Sequence, residues 1–452
     1  MRTLQLVPAV LSAMMLGGTA EARADHPVLP KRGIVFTGWW HDAYTSAGAD
    51  ASFAQLAATG ANAVGLIATQ YQASPDATEV VAHPERTPSD ASLGAAVARA
   101  RFAGLRVRLR VLIDIETGQP RVDIAPRDPA AWFASYRARI LHYAAAAQAW
   151  GVDTLEIGAE LPNLSGRAHS AQWRSLVRAT RALFDGRLTY GANWNEYRQI
   201  RWWDALDEIG VDAYFPLATA PGPTEDQVVA AWRRFVDAEG RVHRYLRDLA
   251  RVARRFRRQV VFSELGYPSA VGALIRPWEI GPVPSLSEQQ VGIAAALRAL
   301  AHRRWFRGLY VWHWFVDPAA GGPQDTDHTV QGKPALATVA AAFARAARAE
   351  TSTSIRVAPA GAASRRLVVR GRVHGTFRGG VQVTALRRAG RRWLSVARRR
   401  AVLRRGRFTV RVTVRTSGRV RVRASFSGSR TASPSRSRSV FVDRRPLRSG
   451  SP

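Results

Sequence analysis

The sequence predicts an α/β fold in which a (β/α)8 barrel is followed by a small all-β sandwich domain. From residue 33 to residue 349, eight short apolar segments alternate with helical segments, as in a barrel of eight strand–helix units. After residue 351 the apolar residues recur with a period of two, which is typical of strands with one buried face. A doubly wound open sheet is the alternative for the first part. Such sheets often carry a glycine-rich phosphate loop, and no G-x-G-x-x-G or G-x-x-x-x-G-K occurs in the sequence.

The first residues have the features of a secretory signal. Arg2 supplies the positive start, residues 4–18 are largely apolar, and Ala22-Arg23-Ala24 offers a small-x-small cleavage site. We therefore expect residues 1–24 to be a signal peptide, the mature chain to begin near Asp25, and the protein to be secreted or associated with the cell surface. No later apolar run reaches 18 residues, so no membrane span is expected. The chain has no cysteine, which excludes thiol catalysis and cysteine-based metal sites.

Residues 25–350 form the predicted barrel domain. Its helical segments include one that stretches from Asp128, an N-cap residue followed by Pro129, to Gly151 as the terminating residue. The predicted strands are GIVFTG, NAVGLIAT, RVRLRVLID, TLEIGAE, RLTYGAN, IGVDAYF, QVVFSELG and FRGLYVWHWF.

Residues 351–444 form a predicted Ig-like sandwich of about seven strands, and residues 445–452 are predicted to be disordered. GRFTVRVTV and GRVRVRASF place apolar residues on one face of a strand and mainly arginine and threonine on the other. From residue 351 onward the chain has 27 arginines and one acidic residue, Asp443. This bias fits a GC-rich genome, but it also fits a domain that holds an anionic cell-surface polymer. Because export is expected, nucleic acid is not an expected partner.

Two carboxylates fall where barrel chemistry takes place. Active sites of these barrels lie at the carboxyl ends of the strands, and there Glu160 ends the fourth predicted strand while Glu264 lies in the seventh. These two strands face each other across the barrel mouth. Two carboxyl groups are what the hydrolysis of a glycosidic bond requires. Glu160 and Glu264 are therefore the predicted catalytic residues, and Tyr214 is expected to hydrogen-bond Glu264.

Aromatic, amide and acidic residues near the same strand ends are the predicted substrate-binding residues. Sugar rings stack their apolar faces on aromatic rings and need polar partners for their hydroxyl groups. Structural roles are the alternatives: Asp114 could pair with Arg110 or Arg121, Asp212 could be a buried hydrogen-bond anchor, and either tryptophan of VWHWF could belong to the core. The predicted set is Trp39, Tyr71, Gln72, Asp114, Asn193, Trp194, Glu196, Asp212, Tyr214, Trp312 and Trp314.

Other chemistries lack their motifs. H-E-x-x-H is absent, as is the G-x-S-x-G nucleophile elbow of esterases. GGPQDTDHT brings acids close to His328, which is weak evidence for a metal site. His313, between Trp312 and Trp314 but on the opposite face of its strand, is expected to pack rather than to bind a metal. No cofactor and no metal are expected.

The ordered motifs of the barrel region resemble glycoside hydrolase family 113, a clan A family of β-mannanases. They are GANAVGLIATQYQ, TPSDASL, WFASYRARILHYA, GVDTLEIGAEL, LTYGANWNEY, WWDALDEIGVDAYFPL, VVFSELGYPSAVGA with PW at 277, and GGPQDTDHTVQGKPA. The resemblance covers about residues 33–340 and implies that Glu160 is the proton donor and Glu264 the nucleophile of a retaining mechanism. The sequence differs from the family pattern at Leu112, Ala159 and Pro120, where histidine, threonine and tryptophan are usual. The resemblance implies that these positions lie in the subsites around the cleaved bond.

The resulting expectation is a monomeric, secreted, retaining glycoside hydrolase. Its substrate would be a β-linked polysaccharide or oligosaccharide, with mannan or glucomannan first. The alternative is a non-catalytic carbohydrate-binding or cell-surface attachment protein with a degenerate barrel.

Overall fold

The computed structural model describes residues 29–300, 303–346, 352–360, 366–374, 379–389, 392–427, 432, 435–437 and 439–444. The predicted signal peptide and the predicted disordered tail lie outside these residues. Within them, no helix has the length and apolar character needed to cross a membrane.

Eight parallel strands close into a barrel, as predicted. Each strand is hydrogen-bonded to parallel neighbours in the order β1-β8-β7-β6-β5-β4-β3-β2. β1, β2 and β7 are buried at every residue, because a parallel barrel sheet is covered by helices outside and by packed side chains inside. This burial explains why the strands appear in the sequence as apolar runs. The strands are β1 Lys31–Thr37, β2 Ala63–Gln72, β3 Arg106–Ile115, β4 Thr154–Ala159, β5 Arg187–Asn193, β6 Ile209–Asp212, β7 Val260–Leu265 and β8 Phe306–Phe315.

Helices cover the outside of the barrel. The side chain of Asp128 accepts hydrogen bonds from the amides of Ala130 and Ala131 at the start of α3, and Gly151 ends the helix with φ 74°. These are the start and stop signals predicted for this segment. The helices are α1 Ala49–Ala58, α2 Asp90–Phe102, α3 Pro129–Trp150, α4 Pro162–Ser165, α5 Ser170–Arg181, α6 Glu225–Arg233, α7 Tyr245–Phe256, α8 Leu286–Leu300 and α9 Pro334–Ala346, with 3-10 turns at Ala43–Thr45, Arg121–Asp123, Arg167–His169 and Trp203–Ala205 and a short hairpin pairing Phe235–Val236 with Val242–His243.

The interior of the barrel is partly ionic. Arg108 and Arg110, two residues apart on β3, both point inward and are at most 1% exposed. Arg108 contacts Glu156 Oε2 at 2.9 Å, and Arg110 contacts both Glu156 and Asp212. Buried charges persist only when they are paired and hydrogen-bonded, so this network fixes β3, β4 and β6 relative to one another just below the barrel mouth.

The C-terminal region consists of two antiparallel sheets around one apolar core. Side chains from both sheets meet in this core, including Val369 and Val412 from one sheet and Val383 and Val422 from the other. One sheet has the order β9-β10-β13; in the other, β12-β11-β14 are neighbours and both β15 and β16 pair with β14. The strands are β9 Ser352–Pro359, β10 Arg366–His374, β11 Gly380–Ala389, β12 Arg392–Val402, β13 Arg407–Thr413, β14 Gly418–Phe426, β15 Ser435–Arg436 and β16 Val440–Arg444.

Candidate active site

A cleft opens at the carboxyl ends of the barrel strands. Its larger part has a volume of about 820 Å³ and is lined by Asp114, Glu160, Asn193 and Trp194, among others. A smaller cavity of about 190 Å³ continues from it and reaches Glu264. Glu160 and Asn193 line both spaces. The two predicted catalytic carboxylates therefore border the same cavity.

Glu160 directly follows β4 in a strained backbone conformation. Its φ of 54° lies in the left-handed region, which is uncommon for residues other than glycine and is often found at functional sites. The amide of Glu160 donates to Gly191 O at 2.9 Å, which ties it to β5. Burial raises the pKa of the Glu160 carboxyl and the charge of Asp212 raises it further, whereas Arg121 and Arg110 oppose this shift. A carboxyl group with a raised pKa can keep its proton and act as a general acid.

Glu264 is 3% exposed, and one of its carboxylate oxygens accepts a hydrogen bond while the other makes an ion pair. The hydroxyl of Tyr214 donates to Oε2 at 2.5 Å, as expected from the sequence. The Arg110 guanidinium contacts Oε1. Burial raises the pKa of Tyr214 well above its usual value, and the charges of Asp212 and Glu160 add to this, so Tyr214 remains a hydrogen-bond donor. A carboxylate that lines the cleft and is held by one hydrogen bond and one ion pair is suited to act as a nucleophile.

Asp212 supports this site from below. It lies opposite Glu264 in the β6–β7 pairing and is fully buried. Arg110 Nη2 donates to its Oδ1 and Oδ2 at 2.6 and 2.7 Å, and the Ser263 hydroxyl donates to Oδ1 at 2.7 Å. The side chain of Asp212 is therefore a buried hydrogen-bond anchor, which was the alternative to a substrate-binding role. It does not line the described cleft.

Arg121 joins the third strand end to the proposed acid. Its Nη2 lies 2.6 Å from Asp114 Oδ1, and its Nη1 lies 3.1 Å from Glu160 Oε2. Asp114 therefore pairs with Arg121 rather than with Arg110. From the sequence, Arg121 was a possible partner of Asp114 but not a predicted site residue. The feature of the sequence that could have indicated this role is the position of Arg121, seven residues after Asp114. A short 3-10 turn at Arg121–Asp123 brings Arg121 back over the end of β3.

Aromatic rings form the walls of the cleft. Trp194 stacks on Trp278 with ring centroids 5.8 Å apart and planes only 9° from parallel. Trp278 is 47% exposed, so part of this pair faces solvent. Trp312 lines the smaller cavity and packs edge-on against Trp39. Trp278 was missed as a site residue, although its Pro-Trp dipeptide belongs to the motifs that carry the family resemblance.

Tyr71 also lines the larger part of the cleft. The guanidinium of Arg86 lies 4.2 Å above its ring. Burial raises the pKa of Tyr71, and the charge of Asp114 adds to this rise. The lining of the larger part of the cleft therefore combines two arginines, Arg86 and Arg121, with the acidic residues Asp114, Glu116 and Glu160.

Two further predicted binding residues are buried in supporting positions. Gln72 is fully buried; its amide donates to Ser74 O at 2.7 Å and accepts from Trp132 Nε1 at 3.0 Å. The Glu196 carboxylate accepts hydrogen bonds from the Tyr190 hydroxyl at 2.7 Å and from the backbone N–H of Asn193 at 2.8 Å. These contacts orient the ends of β2 and β5, and neither side chain lines the described cleft.

Trp314 corrects the prediction made for β8. Trp312 and Trp314 were expected to lie on the same face of the strand, and both were predicted substrate-binding residues. Instead, Trp314 Nε1 donates to the Ser52 hydroxyl of α1 at 2.9 Å, on the helix side of the sheet. Ile34 pairs with Val311 and Phe36 with Trp314, so β8 has one additional residue at this point. A single additional residue reverses the facing of every side chain that follows.

The segment around His328 and His313 is held by ordinary hydrogen bonds. His328 Nε2 contacts Pro277 O at 2.8 Å, and burial lowers the pKa of His328 to about 4, so its ring is neutral. His313 bridges Thr37 Oγ1 at 3.2 Å and Asp327 Oδ1 at 2.9 Å, in the packing role expected for it. Among the residues that the structure describes, no group of histidine and acidic side chains is arranged to hold a metal ion.

Another cavity, of about 330 Å³, lies at the opposite end of the barrel. Lys31, Arg106 and Arg187, near the amino-terminal ends of three strands, line it. Lys31 contacts the buried Glu208, and Arg187 contacts the same carboxylate at 3.1 Å. This end of a (β/α)8 barrel usually serves stability rather than catalysis.

Comparisons with known proteins identify the family of the chain. The family model of Glycoside Hydrolase Family 113 matches residues 36–333. The chain is similar to the β-mannanase of this family from Alicyclobacillus acidocaldarius in complex with ManMIm, with 27% identity and a TM-score of 0.62 over 70% of this chain and 98% of that chain. A complex structure of another family 113 β-1,4-mannanase has 23% identity and a TM-score of 0.60 over the same shares, which shows the shared fold. No curated protein matches. Since the family match spans most of the barrel and more than half of the chain, the protein belongs to glycoside hydrolase family 113.

Proposed function

We propose that the protein is a secreted retaining glycoside hydrolase that cleaves β-linked mannan or glucomannan, with Glu160 as proton donor and Glu264 as nucleophile. The observation that carries this proposal is the pair of carboxyl groups around the cavity of about 190 Å³. Their surroundings differ in the way a retaining mechanism needs. The pKa of Glu160 is raised by burial and by Asp212, while Glu264 accepts from Tyr214 and contacts Arg110.

The proposed reaction has two steps. In the first, Glu160 gives its proton to the glycosidic oxygen while Glu264 attacks the anomeric carbon, which releases the leaving sugar and forms a glycosyl-enzyme. In the second, ionised Glu160 removes a proton from water, and the resulting hydroxide displaces Glu264 with net retention of configuration. Retention requires carboxyl groups about 5–5.5 Å apart. Tyr214 and Arg110 would orient the nucleophile in both steps.

The remaining cleft residues would bind the polymer. The stacked pair Trp194 and Trp278 offers a flat apolar surface for a sugar ring. Trp312 would contact the sugar next to the cleaved bond, and Asn193 would hydrogen-bond one of its hydroxyl groups. Similarity to a mannanase that is 27% identical supports a mannan-type substrate.

The decisive experiment compares the chain from Asp25 onward with its Glu160→Gln and Glu264→Gln variants. Release of reducing sugar would be measured on mannan, glucomannan, galactomannan, xylan, β-glucan and chitosan. We expect mannan-type polymers to be cleaved and each variant to lose turnover while its circular dichroism is unchanged. NMR of the first product should show the β-anomer. If the folded wild-type protein binds these polymers without any turnover, the function is a binding barrel rather than an enzyme.

We also propose that the protein acts outside the cell as a monomer, either free or held at the cell surface by its basic C-terminal domain. The amino-terminal signal features support the export, and the 27 arginines beyond residue 350 support attachment to the cell surface. Sequencing the amino terminus of protein recovered from culture medium and from washed cells would test the export, with a start near Asp25 expected. Light scattering would test the oligomeric state.

A further inference from the structure

The two sheets of the C-terminal domain expose different outer faces. In both sheets most of the inward positions are apolar and the outward positions are rich in arginine. In the sheet of β11, β12, β14 and β16, however, aromatic side chains accompany the outward arginines. We call this surface the aromatic–arginine face, and it comprises Trp393, Phe441, Arg398, Arg419, Arg421 and Arg423.

Strand register places these residues on one side of the sheet. Thr384 on β11 pairs with Arg398 on one neighbouring strand and with Arg423 on the other. Arg421, two residues before Arg423, pairs with Phe441. Since residues directly opposite each other in antiparallel strands share a face, these side chains form a continuous surface across four strands.

Contacts within this face hold its rings and cations in place. The rings of Trp393 and Phe441 have centroids 5.9 Å apart. The guanidinium of Arg421 lies 5.5 Å from the Trp393 ring centroid, and that of Arg419 lies 4.7 Å from the Phe441 ring centroid. Phe441 is 45% exposed, so this apolar surface is accessible to a ligand.

A shared hydroxyl group orders two of the arginines. Ser439 Oγ accepts from Nε of Arg421 and from Nε of Arg423, each at 2.8 Å. Two guanidinium groups are thereby held side by side next to an aromatic surface. Asp443, 3.9 Å from Arg419 and 84% exposed, is the single acidic residue beyond residue 350. The face therefore has a strong positive charge.

The outer face of the other sheet has the charge without the rings. Arg356 pairs with Arg370, and Arg411 lies on the next strand opposite Val368. In the described strands of this sheet, β9, β10 and β13, no tryptophan or tyrosine occurs, and Phe408 is buried in the core. Both faces thus carry positive charge, and only the aromatic–arginine face also carries outward-facing aromatic rings among the described residues.

We propose that the aromatic–arginine face binds a polysaccharide that carries carboxylate groups, that is, a chain of uronic acids. Its sugar rings would stack on Trp393 and Phe441, and its carboxylates would pair with the neighbouring arginines, whose planar guanidinium groups match carboxylates. A polyphosphate would use either face equally, since it has no ring to stack. The choice of a glycan over another polyanion rests on the proposed function of the barrel. The inference deepens that function by naming the polymer that would keep the enzyme near its substrate.

The test measures retention of the full-length protein on immobilised polygalacturonate and on the same polymer with its carboxylates methyl-esterified. Trp393→Ala probes the aromatic surface, and the double variant Arg421→Gln/Arg423→Gln probes the ordered cations. The matched control is Arg370→Gln/Arg411→Gln, which removes the same charge from the other face. Trp393→Phe keeps an aromatic ring and distinguishes loss of stacking from loss of folding. Polyphosphate and single-stranded oligo(dT) serve as polyanions of other classes.

We expect the wild-type protein to bind the free acid but not the ester. Trp393→Ala and Arg421→Gln/Arg423→Gln should each weaken binding to the free acid about tenfold or more. The control pair should weaken binding less than about twofold, and Trp393→Phe should retain most of the affinity. Equal losses from both arginine pairs would overturn the proposal, because binding would then depend on net charge. Tighter binding of polyphosphate or oligo(dT) would overturn it in favour of that polymer. Retention requires no hydrolysis, so an inactive barrel would refute the proposed function and leave this result intact.

Discussion

The hydroxyl group of Tyr214 donates a hydrogen bond of 2.5 Å to Oε2 of Glu264, from a tyrosine whose pKa burial raises well above the usual value. The contact joins the segment after β6 to β7 at the wall of the small cavity. A donor fixed in this way orients the carboxylate for attack and stabilises its negative charge between turnovers.

Tyr214→Phe should therefore lower kcat by about 10- to 100-fold, since a hydrogen bond to a charged group is worth about 1.5–3 kcal/mol. KM should change less, because the lost contact is made to the enzyme's own carboxylate. Steady-state kinetics on the preferred polymer would measure this split. Tyr197→Phe, at another buried tyrosine of the barrel, provides the control and should leave kcat within about twofold. A Tyr214→Phe enzyme with normal kcat would remove this hydrogen bond from the mechanism.

Arg121 should control the alkaline limb of the pH profile. Burial and Asp212 raise the pKa of Glu160, while Arg121, 3.1 Å away, opposes the rise by favouring the ionised form. Glu160 must be protonated to act as the acid, so activity falls as pH rises through its pKa. Arg121→Gln removes a positive charge, raises that pKa further and should move the alkaline limb of kcat/KM to higher pH by about one unit or more.

The control for this shift is Arg86→Gln. Arg86 lines the same cleft but lies over the ring of Tyr71. The two substitutions remove the same charge, and both could raise KM by weakening polymer binding. Only Arg121→Gln should move the alkaline limb of the kcat/KM profile to higher pH. Identical profiles for the two variants would mean that Arg121 does not tune Glu160.

Arg110 should contribute more to stability than any exposed ion pair. It is fully buried and contacts Glu156, Asp212 and Glu264. Arg110→Met leaves these carboxylates without their shared cation, and breaking a buried pair from one side costs about 3–5 kcal/mol. Arg127→Gln is the control; its partner Asp76 lies 3.7 Å away and both side chains are largely exposed, so it should cost no more than about 0.5 kcal/mol.

Urea unfolding followed by tryptophan fluorescence would measure the effect of Arg110→Met. Thirteen of the fourteen tryptophans precede residue 351, so the signal reports on the barrel. Equal midpoints for Arg110→Met and Arg127→Gln would show that the three carboxylates do not depend on Arg110.

The sequence predicts the barrel well because parallel strands are buried on both faces and therefore appear as apolar runs. Glu160 and Glu264 could be found because the carboxyl ends of the strands are fixed by those runs. From the sequence, Arg121 was only a possible partner of Asp114 and Trp278 only part of a motif, since each lies in a connection whose path depends on tertiary packing. Trp314 was placed on the wrong face because a single additional residue in β8 leaves no mark in the alternation of the sequence. Local pattern thus determines which strand a residue belongs to, whereas register and loop path determine what its side chain contacts.

Glu196 should make the stability of the barrel depend on pH. Burial raises its pKa to about 7, although hydrogen bonds from Ser165, the Asn193 backbone and Tyr190 oppose the shift. A carboxyl group with an ordinary pKa near 4.5 when unfolded and near 7 when folded binds its proton more tightly in the folded state. Its contribution is therefore fully present below about pH 4.5 and is lost as pH rises towards 7. At 1.36 kcal/mol per pKa unit, the loss is about 3 kcal/mol.

Glu196→Gln resembles the protonated side chain at every pH, so it isolates this dependence. The free energy of unfolding of the variant minus that of the wild type should increase between pH 5 and pH 8, because only the wild type must ionise a buried carboxyl group. The same urea titrations at several pH values would measure the difference, and contributions shared by the two proteins cancel in it. Asp50→Asn, at an exposed acid on α1, should give a nearly flat difference. A flat difference for Glu196→Gln as well would mean that Glu196 is already ionised at pH 5 in the folded protein. Its contacts with Tyr190 and Asn193 would then outweigh its burial.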